Sequence, residues 1–162
     1  MILAPRHPER FAEVERLLRQ RELRYRKRSE TSGEQAADYT VMLLDTLGEL
    51  PRYYGCADVA FVGGSLVPAG GHNLMEPARW GKPVLFGPHC SNIAETAREL
   101  LQQGGGIEVR GRDDLVREVA GLLSESARAS AMGRRARSVA DAGKEVLSRS
   151  MTLVCRQLRH GS

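Results

Sequence analysis

No stretch of this sequence approaches the roughly 18 consecutive apolar residues that a membrane-spanning helix requires. The opening residues, Met1-Ile2-Leu3-Ala4-Pro5-Arg6, contain no basic-then-apolar leader. A soluble, unprocessed chain is the expectation. Cysteine is sparse: Cys56, Cys90 and Cys155 stand far apart and form no CxxC pair. Neither a disulfide framework nor a zinc site is suggested, and a reducing cytoplasm fits best. There is no internal repeat. Charge of one sign is only slightly in excess, +4 over 162 residues. That favours anionic partners such as phosphates or an acidic membrane surface and says nothing about fold. With 41% hydrophobic and 27% charged residues, the composition is that of a single soluble globular domain.

What is present is alternation. Short apolar runs at Ile2 to Ala4, Leu23 to Lys27, Tyr39 to Leu44, Val59 to Val62, Pro83 to Phe86 and Gly106 to Val109 read as strands. Amphipathic stretches at Glu9 to Arg21, Leu50 to Tyr54, Leu74 to Trp80, Asn92 to Gln103 and Asp113 to Ser124 read as helices, several opened by Pro, Asp, Ser or Asn. The pattern predicts a doubly wound α/β domain, a parallel sheet with helices on its faces, over residues 1–124. Residues 125–162 carry no strand signal and read as two helices, Ala127 to Ala142 and Lys144 to Leu158, separated near Gly143 and packed on that domain. Arg28 to Asp38 is polar and aperiodic, a surface loop. The first residues already form a buried-looking strand, so the chain is expected to begin partway into its domain.

In an open parallel sheet, ligands bind beyond the carboxyl ends of the strands. Four loops occupy such positions. In Ala4-Pro5-Arg6-His7-Pro8 two prolines constrain the turn and Arg6 can donate paired hydrogen bonds to a phosphate or carboxylate. In Asp45-Thr46-Leu47-Gly48-Glu49, Gly48 lets the backbone approach a ligand, while Glu49 at a helix start is also what the helix dipole alone favours. Gly63-Gly64-Ser65 ends a strand with N–H groups able to face an anion or sugar, or simply makes a turn.

The fourth loop, Gly70-Gly71-His72-Asn73-Leu74-Met75-Glu76, is the most informative. Two glycines lead into a helix whose first turn has unpaired N–H donors suited to a phosphate. Asn73 and Glu76 share one face of that turn, and a carboxylate there can accept from both hydroxyls of a ribose. The same spacing fits a capping box. His72 and Glu76 are spaced like metal ligands, but no third ligand completes a set, so no metal is expected. Phe86-Gly87-Pro88-His89-Cys90-Ser91-Asn92 could line the same crevice, and His89 there equally fits an ordinary loop histidine.

Taken in order, Pro-Arg-His-Pro-Glu-Arg, Gly-Glu-Leu, Ala-Asp-Val-Ala-Phe-Val-Gly-Gly-Ser, Gly-Gly-His-Asn and Gly-Pro-His resemble the C-terminal domain of the bacterial 3-deoxy-D-manno-octulosonic acid (Kdo) transferases, from Ile2 to about Val109. Two departures stand out: Met75 replaces the family's usual Leu, and Cys90-Ser91-Asn92-Ile93 replaces a more aromatic stretch. The resemblance implies the C-terminal, Rossmann-like half of a GT-B glycosyltransferase that holds the CMP part of CMP-Kdo without metal or cofactor. It implies donor contacts at Pro5 and Arg6, at Leu47, Gly48 and Glu49, and at Asn73, Leu74, Met75 and Glu76; Gly63, Gly64 and Ser65 join them as candidate donor contacts from their place just past a strand.

No catalytic residue is expected in this chain. The resemblance assigns the general-base glutamate, the contacts to the lipid A precursor and the membrane association to an N-terminal domain. The whole enzyme is expected in the cytoplasm at the inner face of the inner membrane, serving lipopolysaccharide synthesis. The domain's own first strand and helix also fall outside the match, and apolar surface left there would favour self-association. Two other readings stay open: a UDP-sugar GT-B enzyme or 2-epimerase-like domain, and a non-catalytic nucleotide-binding remnant. Arginines at 128, 134, 135, 137, 149, 156 and 159 read as a solvated helix face, so no nucleic-acid partner is expected.

Overall fold

The structure, a computed structural model, describes residues 1–31 and 38–160, with the side chains of 144–160 excepted. The chain divides into two compact units, Met1–Tyr53 and Tyr54–Ser162. Part of the polar loop expected at 28–38, and the side chains of Arg149, Cys155, Arg156 and Arg159, lie outside the described residues. No helix among the described residues is long and apolar enough to cross a membrane.

The first unit holds β1 (Ile2–Leu3), α1 (Phe11–Gln20), β2 (Tyr25–Lys27) and β3 (Val41–Leu43), and the boundary falls within α2 (Leu50–Tyr54), whose last residue, Tyr54, opens the second unit. The three strands form a parallel sheet in the order β1-β3-β2, with Leu3 and Lys27 both opposite Leu43. A parallel pair cannot be joined by a tight turn, and α1 supplies the crossover from β1 to β2. Val14 and Leu18, four apart on α1, pack with Leu3, Val41 and Leu43 as the core of this unit. A polar cluster ties the same helix to β2: Glu15 accepts hydrogen bonds from the Tyr25 hydroxyl at 2.8 Å and from Arg19 at 2.6 Å.

The second unit runs β4 (Ala60–Val62), α3 (Met75–Arg79), β5 (Val84–Phe86), α4 (Ala94–Gln102), β6 (Gly106–Glu108), α5 (Arg112–Ser124) and α6 (Ser126–His160). Its sheet is parallel, in the order β4-β5-β6. Side chains alternate across a strand, and β5 shows the consequence. Val84 and Phe86 enter one cluster with Leu74, Ala78, Leu100, Ala136 and Val139, whereas Leu85 enters another with Val109, Leu122 and Met132. All three β5 residues are buried, as a central strand covered on both faces requires. The Rossmann-like α/β class expected from the alternation is therefore present, its strands recorded as two three-stranded parallel sheets, one in each unit.

One expectation is corrected. Residues 126–160 form a single helix, not two separated near Gly143. A lone glycine costs only about 1 kcal/mol relative to alanine in a helix interior, and no proline follows to enforce a break. The helix is held by its buried face: Met132, Gly133, Ala136, Val139 and Ala140 recur at helical spacing. At Gly133 the approach is so close that a Cβ would lie 2.0 Å from the Gly81 carbonyl oxygen. Around Gly143 there is open space.

These two glycines generate opposite expectations for one substitution. Gly133→Ala should destabilise by about 1–3 kcal/mol, because backbone must move to admit the methyl group. Gly143→Ala should stabilise by up to about 1 kcal/mol through helix propensity alone. Urea denaturation of the two variants checks the pair, and equal shifts of the same sign would contradict the packing described.

Candidate functional site

In the first unit, Pro5 is half-buried just past β1 and Arg6 stands exposed beside it. Past β3, Asp45 is anchored by Ser29, whose N–H donates to it at 2.9 Å and whose hydroxyl donates at 2.5 Å. Burial works to raise the Asp45 carboxyl, and the two Ser29 bonds outweigh it, leaving it below the usual carboxylate range. Leu47 is 69% exposed and Gly48 has a φ of 80°. Glu49 accepts from the Thr46 hydroxyl on one oxygen and from Arg28 at 3.0 Å on the other. Its carboxyl is held below the ordinary glutamate range by the Thr46 bond first and then, against burial, by the Arg28 charge. Arg28 belongs to a stretch that the sequence presents only as polar loop, and its partner lies 21 positions away.

In the second unit, the loops after β4 and β5 are joined. Ser65 is fully buried; its hydroxyl donates to the Val62 carbonyl at 2.7 Å and accepts from the Gly87 N–H at 2.8 Å. The His89 N–H donates to the Ser65 carbonyl at 2.9 Å, and the Gly71 N–H to the Gly64 carbonyl at 2.8 Å. The His72 ring lies over Gly64, where a Cβ would be 2.9 Å from Nε2. Gly70 and Gly71 both take positive φ, 84° and 77°, a backbone path that side-chain-bearing residues resist.

That path delivers Asn73 and Glu76 to the start of α3. Asn73 Oδ1 accepts from the Met75 N–H at 3.0 Å, and its amide donates to Glu76 Oε1 at 3.3 Å. Helix α3 begins one residue later than a capping box on Asn73 needs, with Leu74 at the cap and only five residues in all. The Asn73–Glu76 pair is thus side chain to side chain. Leu74 is fully buried and Met75 packs against the core, and the Met75 N–H is already taken by Asn73. Glu76 also acts on a residue the sequence does not single out: burial pushes the Tyr54 phenol up to about 12, and the Glu76 charge adds to the effect.

A groove of about 690 Å³ lies beside the ends of β5 and β6, lined by Gly70, His89, Arg98 and Glu108 among others. The Asn73–Glu76 turn does not line it. Among the described residues no three His, Cys, Asp or Glu side chains gather closely enough to hold a metal ion.

A solved structure has a similar fold. The C-terminal CMP-Kdo binding domain of WaaA from Acinetobacter baumannii superposes with a TM-score of 0.80 at 32% identity, over 85% of this chain and 72% of that one. This chain belongs to the Kdo transferase family. Two curated Kdo transferases agree. That of Bordetella pertussis is 42% identical over 138 residues, which is 85% of this chain and 32% of the relative. That of Haemophilus influenzae is 38% identical over 155 residues, or 95% and 36%. The chain thus spans about a third of the length of the curated Kdo transferases it matches. No family model matches it.

The Glu49 pairing has a pH consequence. A carboxyl lowered in the folded state contributes stability above its unfolded value, and that stability is lost as pH falls through the folded one. Carboxyl NMR is expected to show Glu49 titrating below free glutamate, and Arg28→Ala should raise the midpoint. An unmoved midpoint in that variant would mean the carboxylate is not held by Arg28.

Proposed function

We propose that this chain is the donor-binding part of a Kdo transferase and that it binds CMP-Kdo through its CMP moiety. Family membership carries the reading, with the side-chain pair of Asn73 and Glu76 as the observation in this chain that supports it most directly. A half-exposed carboxylate, oriented by an amide and following a glycine path, is suited to accept from the two ribose hydroxyls. The Leu74 N–H lies on the same turn, while the Met75 N–H orients Asn73. In the first unit we assign donor contacts to Pro5 and Arg6 and to Leu47, Gly48 and Glu49. Gly63 and Gly64 are assigned to the donor through their backbone. Ser65 acts beneath them, because its hydroxyl is already bonded on both sides.

The proposed reaction is attack by a lipid A precursor hydroxyl on the anomeric carbon of Kdo. The carbon–oxygen bond to CMP breaks with inversion, its electron pair passes to the phosphate oxygen, and the hydroxyl proton passes to a base. Charge developing on the leaving phosphate must be met by fixed donors, and Arg6 is assigned that role. The base and the acceptor contacts are assigned to the part of the enzyme beyond these residues, at the inner face of the inner membrane. Residues 1–124 form the donor-binding domain in this reading, with 125–162, which hold the single helix α6, packed on it.

Calorimetry with CMP and UDP tests the donor assignment. CMP should bind and UDP should not, and the reverse preference would favour a UDP-sugar enzyme. Glu76→Ala should weaken CMP binding by about 1.5–3 kcal/mol, the scale of a hydrogen bond to a charged group. Its effect on the melting transition should be small, because Glu76 accepts only an exposed 3.3 Å bond from Asn73. A large loss of stability with unchanged CMP affinity would make Glu76 a structural residue.

The division of labour is tested with CMP-Kdo and a lipid A precursor. Transfer needs the reacting atoms held about 3–3.5 Å apart with a base in reach. The chain alone should show no acceptor-dependent CMP release, and release at a rate comparable with the intact enzyme would overturn the assignment.

A further inference from the structure

Strands β2 and β3 run parallel and side by side, with Lys27 opposite Leu43, so the segments that follow them leave the same end of the sheet. The segment after β2 is one turn of 3-10 helix, Arg28–Glu30. It is tied back to its strand: Arg28 donates to the Thr31 carbonyl at 3.2 Å, and the Thr31 hydroxyl donates to the Lys27 carbonyl at 2.9 Å. From that footing two consecutive residues reach the segment after β3 and hold it at both ends. Ser29 donates through its N–H and its hydroxyl to the two oxygens of Asp45, at 2.9 and 2.5 Å. Arg28 donates to one oxygen of Glu49 at 3.0 Å, and the Thr46 hydroxyl donates to the other.

Between these anchors the segment is bare. Leu47 is 69% exposed, and Gly48, at a φ of 80°, has open space where a side chain would stand. Both partners of the Arg28–Glu49 pair remain partly in water, and pairs so placed add little to stability. Their consequence is local order. Glycine is the residue with the most conformational freedom to lose, and a loop ordered beforehand gives up less entropy when a ligand closes on it. The guanidinium also does what an ammonium cannot: one nitrogen holds the Thr31 carbonyl while another holds Glu49, so a planar fork joins the end of β2 to the loop after β3.

We infer that Arg28 and Ser29 are positioning residues for donor binding: acting through Glu49 and Asp45, they set the Leu47–Gly48 segment in its binding shape before the donor arrives. The inference rests on the donor reading, which assigns Leu47, Gly48 and Glu49 to CMP, and adds two residues whose effect does not require touching it.

The test is calorimetry with CMP on the full chain, beside thermal melts of each variant. R28Q and S29A should each weaken CMP binding by about tenfold, the scale of ordering one or two side chains on association, with melting temperatures close to the parent's. R28K keeps the charge and loses the fork, and should recover part of the loss. Because Arg28 acts through Glu49, R28Q added to E49Q should cost no further affinity, a non-additivity that independent contacts would not show. Unchanged CMP affinity in R28Q and S29A overturns the inference. So does a loss that adds in full to that of E49Q, or one accompanied by a large fall in melting temperature. A parent chain that binds no CMP overturns the donor reading and this inference with it, whereas the other three failures leave the donor reading standing.

Discussion

The arrangement of the second unit depends on the burial of β5. Val84, Leu85 and Phe86 are excluded from water together, and because consecutive residues face opposite sides of a sheet, apolar cover is needed on both. One side receives α3, α4 and α6, and the other receives α5 together with Met132 of α6. Fully burying side chains of this size is worth about 1.5–3 kcal/mol each, so the helices have no comparably favourable place elsewhere. Everything proposed for the α3 turn follows from its being pressed onto this strand.

From β5 the constraint reaches the loops through a single hydroxyl. Ser65 bridges the last carbonyl of β4 and the first N–H beyond β5. Losing that hydroxyl at a fully buried position would leave the two backbone groups it bridges without this partner, at about 1–3 kcal/mol each. The bridge explains how a run rich in glycine can hold a defined shape. The glycines supply the left-handed conformations, and the buried serine with the Gly71 and His89 N–H groups removes the freedom that glycine would otherwise bring. The α3 turn is presented by a restrained loop, which suits a site that must hold a ligand without ordering it first.

The two carboxylates of the proposed donor site are held differently. Glu49 is paired with a hydroxyl and a cation, which hold its carboxyl below the ordinary glutamate range. Among the described residues Glu76 has the Asn73 amide as its hydrogen-bond partner and a buried phenol, Tyr54, in its field. A carboxylate with so little internal company retains hydrogen-bonding capacity for a ligand. In Glu49 that capacity is already largely met by Arg28 and Thr46, so it is better suited to shaping its loop than to accepting several new bonds.

The sequence by itself determined the order and type of the elements and the family. Apolar periodicity, prolines and glycines are local signals, and each strand and each helix as far as α5 lies within a few residues of where those signals put it. It also located the turn carrying Asn73 and Glu76. Only the tertiary structure decided that Ser65 is interior, that Glu49 is held by Arg28 from 21 positions away, and that Tyr54 lies in the field of Glu76. It alone set Ser29 against Asp45. Gly143 failed as a helix boundary for a related reason: a local propensity of about 1 kcal/mol does not end a helix whose other residues favour it. Hydrogen-bond partners and buried faces are chosen by packing between residues far apart in the chain, and no local pattern records that choice.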